Sequence, residues 1–184
     1  MHSFSNKEIS EMLSEYTDLM KITGENKYRV RAYDNASRIV SDRTIDLEKM
    51  VKEDRLKEIK GIGEGIAGTI KDIFEKGYCE PLEDLRKELP PGFEELLNIP
   101  GLGPKTAGKF LEELEISNIE DLKKALQAKK IRELKGMGAK TEQNLLEALE
   151  EYEEYTRFIN LDKALTTSEK LIKELKETTD EILE

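Results

Sequence analysis

The stretch Ile99-Pro100-Gly101-Leu102-Gly103-Pro104-Lys105-Thr106-Ala107-Gly108-Lys109 combines the residue types needed to hold an anion. Two glycines one residue apart let a chain reverse through positive φ and let its backbone approach another group closely. Pro104 suits a first helical position, where φ is already set and no N–H is lost. A helix starting there offers N–H groups without intrahelical partners and a partial positive charge, which together suit a phosphate. Lys105 and Lys109 add full charges at the same end. The pattern occurs twice more, as Ile59-Lys60-Gly61-Ile62-Gly63-Glu64-Gly65-Ile66-Ala67 and as Leu134-Lys135-Gly136-Met137-Gly138-Ala139-Lys140-Thr141. The candidate anion-binding residues are thus Gly101, Gly103, Lys105, Thr106 and Lys109 centrally, Gly61, Gly63 and Gly65 in the first copy, and Gly136, Gly138 and Lys140 in the third. By side-chain charge the copies rank central, third, first, because Glu64 and Gly65 stand where a cation would help in the first.

Other chemistries lack their residues. Cys79 and His2 are each the sole residue of their type, so zinc ligation and Cys- or His-based nucleophilic catalysis have no partners. A lone cysteine fits a reducing, intracellular setting. No apolar run approaches the ~20 residues of a membrane span, and the first residues show no apolar signal core. The net charge is −10, from 30 Lys/Arg and 40 Asp/Glu, which taken whole argues against a nucleic-acid binder. The distribution argues otherwise. Residues 21–60 hold eleven cations against eight acids, 101–110 two against none, and 129–141 five against one, while 142–184 hold five against thirteen. Positive islands lie before or on the Gly-X-Gly turns.

The elements that would carry these turns are helical. Charged residues make up 38% of the chain, with no Trp, and Glu, Lys and Leu dominate. Ser5-Asn6-Lys7-Glu8 reads as a capping box opening a helix that stops at Gly24. Lys27 to about Val40 forms a second, with Val30, Ala36, Ile39 and Val40 as candidate core. Leu47–Lys52, Ile66–Phe74 ending at Gly77, and Pro81–Leu89 follow. Pro90-Pro91-Gly92 is the strongest break and the expected domain boundary. Pro91–Asn98 and Pro104–Glu115 flank the central turn, and Ser117-Asn118-Ile119-Glu120 reads as another capping box. Ala139 to about Phe158 forms a long acidic helix, and Leu161–Lys176 a last one. No stretch reads as a strand, so the expected fold is all-α.

Three hydrophobic-X-Gly-X-Gly turns between helical segments are the helix-hairpin-helix DNA-binding pattern, which grips a phosphate backbone through main-chain N–H groups without reading sequence. Lys27-Tyr28-Arg29-Val30-Arg31-Ala32-Tyr33 interleaves basic and aromatic residues. It reads either as a solvated face with two core aromatics or as a pocket for a terminal phosphate.

The order Val30-Arg31-Ala32-Tyr33, Ile59–Gly63 with Ala67, Phe74-Glu75-Lys76-Gly77, Leu89-Pro90-Pro91-Gly92 and Ile99–Lys105 resembles the N-terminal part of family X DNA polymerases, chiefly the microbial members that carry a third hairpin. The resemblance covers essentially the whole chain. It implies a four-helix lyase-like domain (1–89) with the first hairpin, a helical DNA-binding subdomain (90–160) with the second and third, and a helix (161–184) leading to a catalytic palm that this sequence lacks. It implies binding of gapped or nicked duplex DNA in DNA repair, including base excision repair, by a monomer. The family's 5′-phosphate pocket falls on Arg29, Tyr33 and Lys57, beside Gly61, Gly63 and Gly65. A monovalent cation, Na⁺ or K⁺, would sit on the carbonyls of Leu97, Ile99 and Leu102, and on those of Lys57, Ile59 and Ile62.

Two departures limit the activity that the resemblance implies. The family's Schiff-base lysine falls on Thr69, which cannot form an imine. Lys71 lies two positions on, about 200° around the helix. The sequence also has no Gly-Ser and no Asp-X-Asp, the residues of a nucleotide-binding palm with Mg²⁺. The expectation is therefore a DNA-binding part of a longer polymerase, without efficient lyase chemistry of its own. An acidic helical interaction scaffold, with the hairpins as structural turns only, is the alternative that the net charge favours.

Overall fold

The computed structural model describes residues 2–42 and 44–158. Side-chain caps start the first three helices. Ser5 accepts the Glu8 N–H while the Glu8 carboxylate accepts the Ser5 N–H at 2.7 Å, and this reciprocal box opens α1 (Asn6–Ile22). Asn26 accepts the Tyr28 N–H at 2.8 Å to open α2 (Lys27–Val40), and Asp46 accepts the Lys49 N–H at 3.0 Å to open α3 (Leu47–Lys52). A 3₁₀ turn (Leu56–Glu58) leads into α4 (Glu64–Lys76), which Gly77 ends at φ +88°. Then come α5 (Glu80–Glu88), α6 (Phe93–Leu96), α7 (Pro104–Leu114), α8 (Ile119–Gln127), a 3₁₀ turn (Ile131–Glu133) and α9 (139–158). Every regular element among the described residues is helical, in keeping with the expected all-α class. The expected helix Leu161–Lys176, with the rest of segment 161–184, lies outside the described residues.

Contacts divide the chain into two units, one of residues up to Leu97 with Leu102–Leu122, the other of Asn98–Gly101 with residues from Lys123 on. In the first unit α1 lies along α2 and also packs on α5 and α7. Its apolar stripe of Ile9, Leu13, Tyr16, Leu19 and Met20 is buried, as are Ile70, Ile73 and Phe74 of α4 and Phe110 of α7. Each such side chain contributes ~1.5–3 kcal/mol on leaving water. Tyr33, Ala36, Ser37 and Val40 form the inner face of α2. The expected core residues Val30 and Ile39 are only half-buried, because that face is centred on Tyr33 and Ala36 instead. In the second unit, Leu126, Ile131, Leu134, Leu145 and Leu149 are buried, and Lys123 pairs with Glu153 at 3.0 Å.

Two local details differ from expectation or were not visible in the sequence. The cap of α8 is Asn118, one residue later than expected: its side chain accepts the Asp121 N–H at 2.9 Å, and Asp121 in turn accepts from Ser117 and Asn118. The shorter Asp side chain closes this box, in place of Glu120. Gly108 lies where α7 meets the end of α1; a Cβ there would stand 2.7 Å from the Ile22 carbonyl oxygen. Only glycine permits this approach.

Candidate functional site

The three Gly-X-Gly turns share one backbone geometry. The first glycine of each has positive φ: Gly61 +101°, Gly101 +82°, Gly136 +83°. The middle residue turns inward, with Ile62 and Leu102 buried and Met137 half-buried, while both glycines face solvent. The second glycine is the N-cap of the following helix. Gly63 and Gly103 are extended there (φ −81° and −76°). Their carbonyls accept the first helical bonds, from Ala67 at 2.9 Å and Ala107 at 3.0 Å, and the Gly138 carbonyl accepts from Glu142 at 3.1 Å in the same way.

Neither α4 nor α7 has a side-chain cap, in contrast to α1, α2 and α3. A glycine cap leaves the first-turn N–H groups open to an outside acceptor. In α7, Pro104 supplies none and the Thr106 N–H turns back on the Gly103 carbonyl at 2.9 Å, so the Lys105 N–H is the outward donor. The Lys105 side chain is exposed. Lys109 is mostly covered and lies 3.7 Å from Glu113. Lys140 is exposed at the start of α9.

The first hairpin is more constrained. Lys57 is exposed and pairs with Glu64, the first residue of α4, at 2.8 Å. The hydrogen bond and charge of each partner hold the Lys57 ammonium above and the Glu64 carboxyl below their ordinary values. Arg29 donates to the Tyr16 hydroxyl at 2.8 Å and lies 3.4 Å from Glu25. The Tyr16 ring meets Tyr33 edge-on at 5.0 Å between centroids. Tyr33 is buried, and its hydroxyl is 2.9 Å from Thr69 Oγ1. Thr69 donates to the Gly65 carbonyl at 3.1 Å, so Tyr33 is the donor to Thr69. Arg29, Tyr33, Thr69 and Gly65 thus form one chain of contacts through Tyr16. Lys71 lies 3.6 Å from Asp54.

The third hairpin holds a buried carboxylate. Glu142 accepts the Arg132 N–H at 3.0 Å and its Nε at 2.7 Å. Burial alone would raise its pKa, but the bonds from Arg132 and the Ile131 backbone hold the carboxyl below its ordinary value. Arg132, a nearby cation in the sequence, is therefore paired with Glu142, while its side chain stays 41% exposed. A spacing of ten residues across a loop carries no local signal for this pair.

Among the described residues no cluster of His, Cys, Asp and Glu could hold a metal ion, and no helix is long and apolar enough to cross a membrane. The cation expected from the resemblance would rest on carbonyls instead. In the first and third hairpins Ile59 and Leu134 accept N–H groups from Ile62 and Met137, each at 3.0 Å.

Comparison with known proteins agrees with this geometry. A helix-hairpin-helix domain model matches residues 4–79, and a SAM-like helix-hairpin-helix tandem model matches residues 93–151. Over 145 residues, 79% of the chain, the sequence is 34% identical to the DNA polymerase/3'-5' exonuclease PolX of Bacillus subtilis (strain 168). The match takes in 25% of that protein, so the chain spans about a quarter of its length. The chain therefore carries helix-hairpin-helix regions at residues 4–79 and 93–151, and its sequence is similar to part of a family X DNA polymerase.

Proposed function

We propose that this chain binds DNA through the phosphate backbone, without reading base sequence, as part of a family X polymerase acting on gapped or nicked duplex in DNA repair. The carrying observation is the shared backbone of the three Gly-X-Gly turns: Gly63, Gly103 and Gly138 start their helices and leave first-turn N–H groups to an outside anion, where α1, α2 and α3 use Ser, Asn and Asp. In this reading residues 90–160 grip duplex through Gly101, Gly103, Lys105, Thr106, Lys109, Gly136, Gly138 and Lys140. Residues 1–89 hold a 5′-phosphorylated end at Gly61, Gly63 and Gly65 with Arg29, Tyr33 and Lys57. A Na⁺ or K⁺ ion on hairpin carbonyls would bridge to a phosphate oxygen. Thr69 holds no amine and has its hydroxyl engaged with Gly65, so the end is bound and not cleaved by imine chemistry. Nucleotide transfer with Mg²⁺ would belong to a palm that these residues do not include.

Fluorescence anisotropy with 5′-phosphorylated gapped duplex at low salt tests the reading. Replacing Lys105 and Lys109 by Glu should weaken binding about tenfold or more, since each change removes a positive charge beside the central hairpin and adds a repulsive one. The same reversal at Lys7 and Lys87, which pair with Glu11 and Asp84 on exposed helix faces, should change it less than about twofold. Equal effects would contradict the hairpin reading. Absence of binding at tens of micromolar would favour the acidic scaffold, for which the net charge of −10 is the support. Borohydride trapping on an abasic 5′-phosphate end should yield no covalent adduct; efficient trapping would overturn the role given to Thr69.

A further inference from the structure

The first and third hairpins resemble each other beyond their glycines. Each opens on a residue in the left-handed region, Asp54 at φ +55° and Lys129 at φ +58°. Each then runs through a 3₁₀ turn, Leu56–Glu58 and Ile131–Glu133, to its first glycine. In both, the residue four before that glycine is a cation, Lys57 and Arg132, and it crosses the turn to a carboxylate on the helix that follows. The central hairpin has Leu97 at this place. The two bridges differ in where the carboxylate stands. Glu64 is the first residue of α4 and is 87% exposed, whereas Glu142 is the fourth residue of α9 and is 5% exposed.

The buried carboxylate holds Arg132 by its backbone and by its head. Oε2 of Glu142 accepts the Arg132 backbone N–H at 3.0 Å, while Oε1 accepts Nε at 2.7 Å and lies 2.6 Å from Nη2. These bonds use one edge of the guanidinium. Nη1 has no partner among the described residues, and Arg132 is exposed. A guanidinium carries five N–H donors in a rigid fork, so the edge that Glu142 leaves can donate to a second anion. A side chain already held in place loses little rotamer freedom on binding, whereas a flexible lysine loses more. The fourth position also keeps the carboxylate back from the helix end whose N–H groups attract an anion.

We propose that Glu142 is a positioning residue: it fixes the Arg132 guanidinium so that the free edge donates to a phosphodiester oxygen of duplex DNA beside the third hairpin. The proposal rests on the DNA-binding reading above and adds to it a side-chain contact built by a buried acid, outside the Gly-X-Gly turn.

Two roles for Glu142 predict opposite signs. As a negative charge near phosphate it opposes binding, and Glu142→Gln would tighten it. As the group that orients Arg132 it supports binding, and Glu142→Gln weakens it although a negative charge has gone. Fluorescence anisotropy of the whole chain with an intact duplex separates them, at a temperature where circular dichroism shows the variants folded. Arg132→Met should weaken binding about three- to tenfold at low salt and reduce the slope of log K against log salt by about 0.9, one phosphate contact beyond those of the hairpin lysines. Glu142→Gln should weaken binding about two- to fivefold, through the rotamer freedom that Arg132 regains. In the Arg132→Met background, Glu142→Gln should weaken nothing further. That double variant leaves no buried charge unpaired, so it reads the slope even where Arg132→Met alone fails to fold. Tighter or unchanged binding by Glu142→Gln, an unchanged slope without Arg132, or a further loss from Glu142→Gln in the Arg132→Met background overturns the proposal while leaving the hairpin reading intact. If the unaltered chain does not bind the duplex, the DNA-binding reading itself falls, and the role of Glu142 with it.

Discussion

Glu64 and Lys57 hold each other across the first hairpin at 2.8 Å, and both are well exposed. A phosphate arriving at α4 meets this carboxylate at the helix end that would attract it, and competes with it for the same lysine. Replacing Glu64 by Gln should therefore tighten binding to 5′-phosphorylated DNA at low salt roughly two- to fivefold. Unchanged affinity would remove Lys57 from the phosphate site. Glu142 plays the opposite part in the third hairpin, where it is buried and tied to Arg132. Replacement by Gln keeps the volume but loses a charge-assisted bond, a cost of about 1–2 kcal/mol in urea unfolding near neutral pH. Because the folded carboxyl titrates below the ordinary 4.5, its stabilisation is complete above that value. It is lost as pH falls through the lower folded value. The Gln variant should lack this acid-side step.

At the scale of elements, the helix starts at the hairpins differ from those of α1, α2, α3 and α8. Ser5, Asn26, Asp46 and Asn118 satisfy their own first turns, and their helices build the scaffold. Gly63, Gly103 and Gly138 satisfy nothing with a side chain, and their helices follow the hairpins. The position of α7 depends on Gly108, because its neighbour is the Ile22 backbone, which cannot move aside as a side chain could. Gly108→Ala should destabilise the protein by about 1–3 kcal/mol through overpacking, read as a lowered thermal midpoint. Hydrogen exchange should show the loss concentrated in α1 and α7. A neutral or stabilising outcome, as expected for Ala in a helix with room for it, would mean that α7 does not rest on Ile22.

For the molecule as a whole, local charge decides what a net −10 conceals. If Lys60, Lys105, Lys109 and Lys140 each meet a phosphate, log K for duplex should fall with log salt at a slope of about −3.6, roughly a hundredfold loss between about 50 and 200 mM. A flat salt profile would exclude phosphate contacts as the source of affinity. The all-α class and the hairpins were legible in the sequence because their causes are local. A glycine needed for positive φ, a proline at a helix start and an apolar stripe all act within a turn or two of the chain. The cap at Asn118 was misplaced by one residue because Ser117-x-x-Glu120 and Asn118-x-x-Asp121 both satisfy the same pattern, and side-chain reach separated them. Sequence by itself determined the helical hairpins, the order of their charges and the lack of an amine at Thr69. Only tertiary structure decided that Arg132 pairs with the buried Glu142, that Tyr33 is bonded to Thr69, and that Lys105 shares a groove with Arg31 and Arg38. Each of those depends on which distant segments pack together, and the packing is set by the summed burial of many side chains that no short spacing encodes.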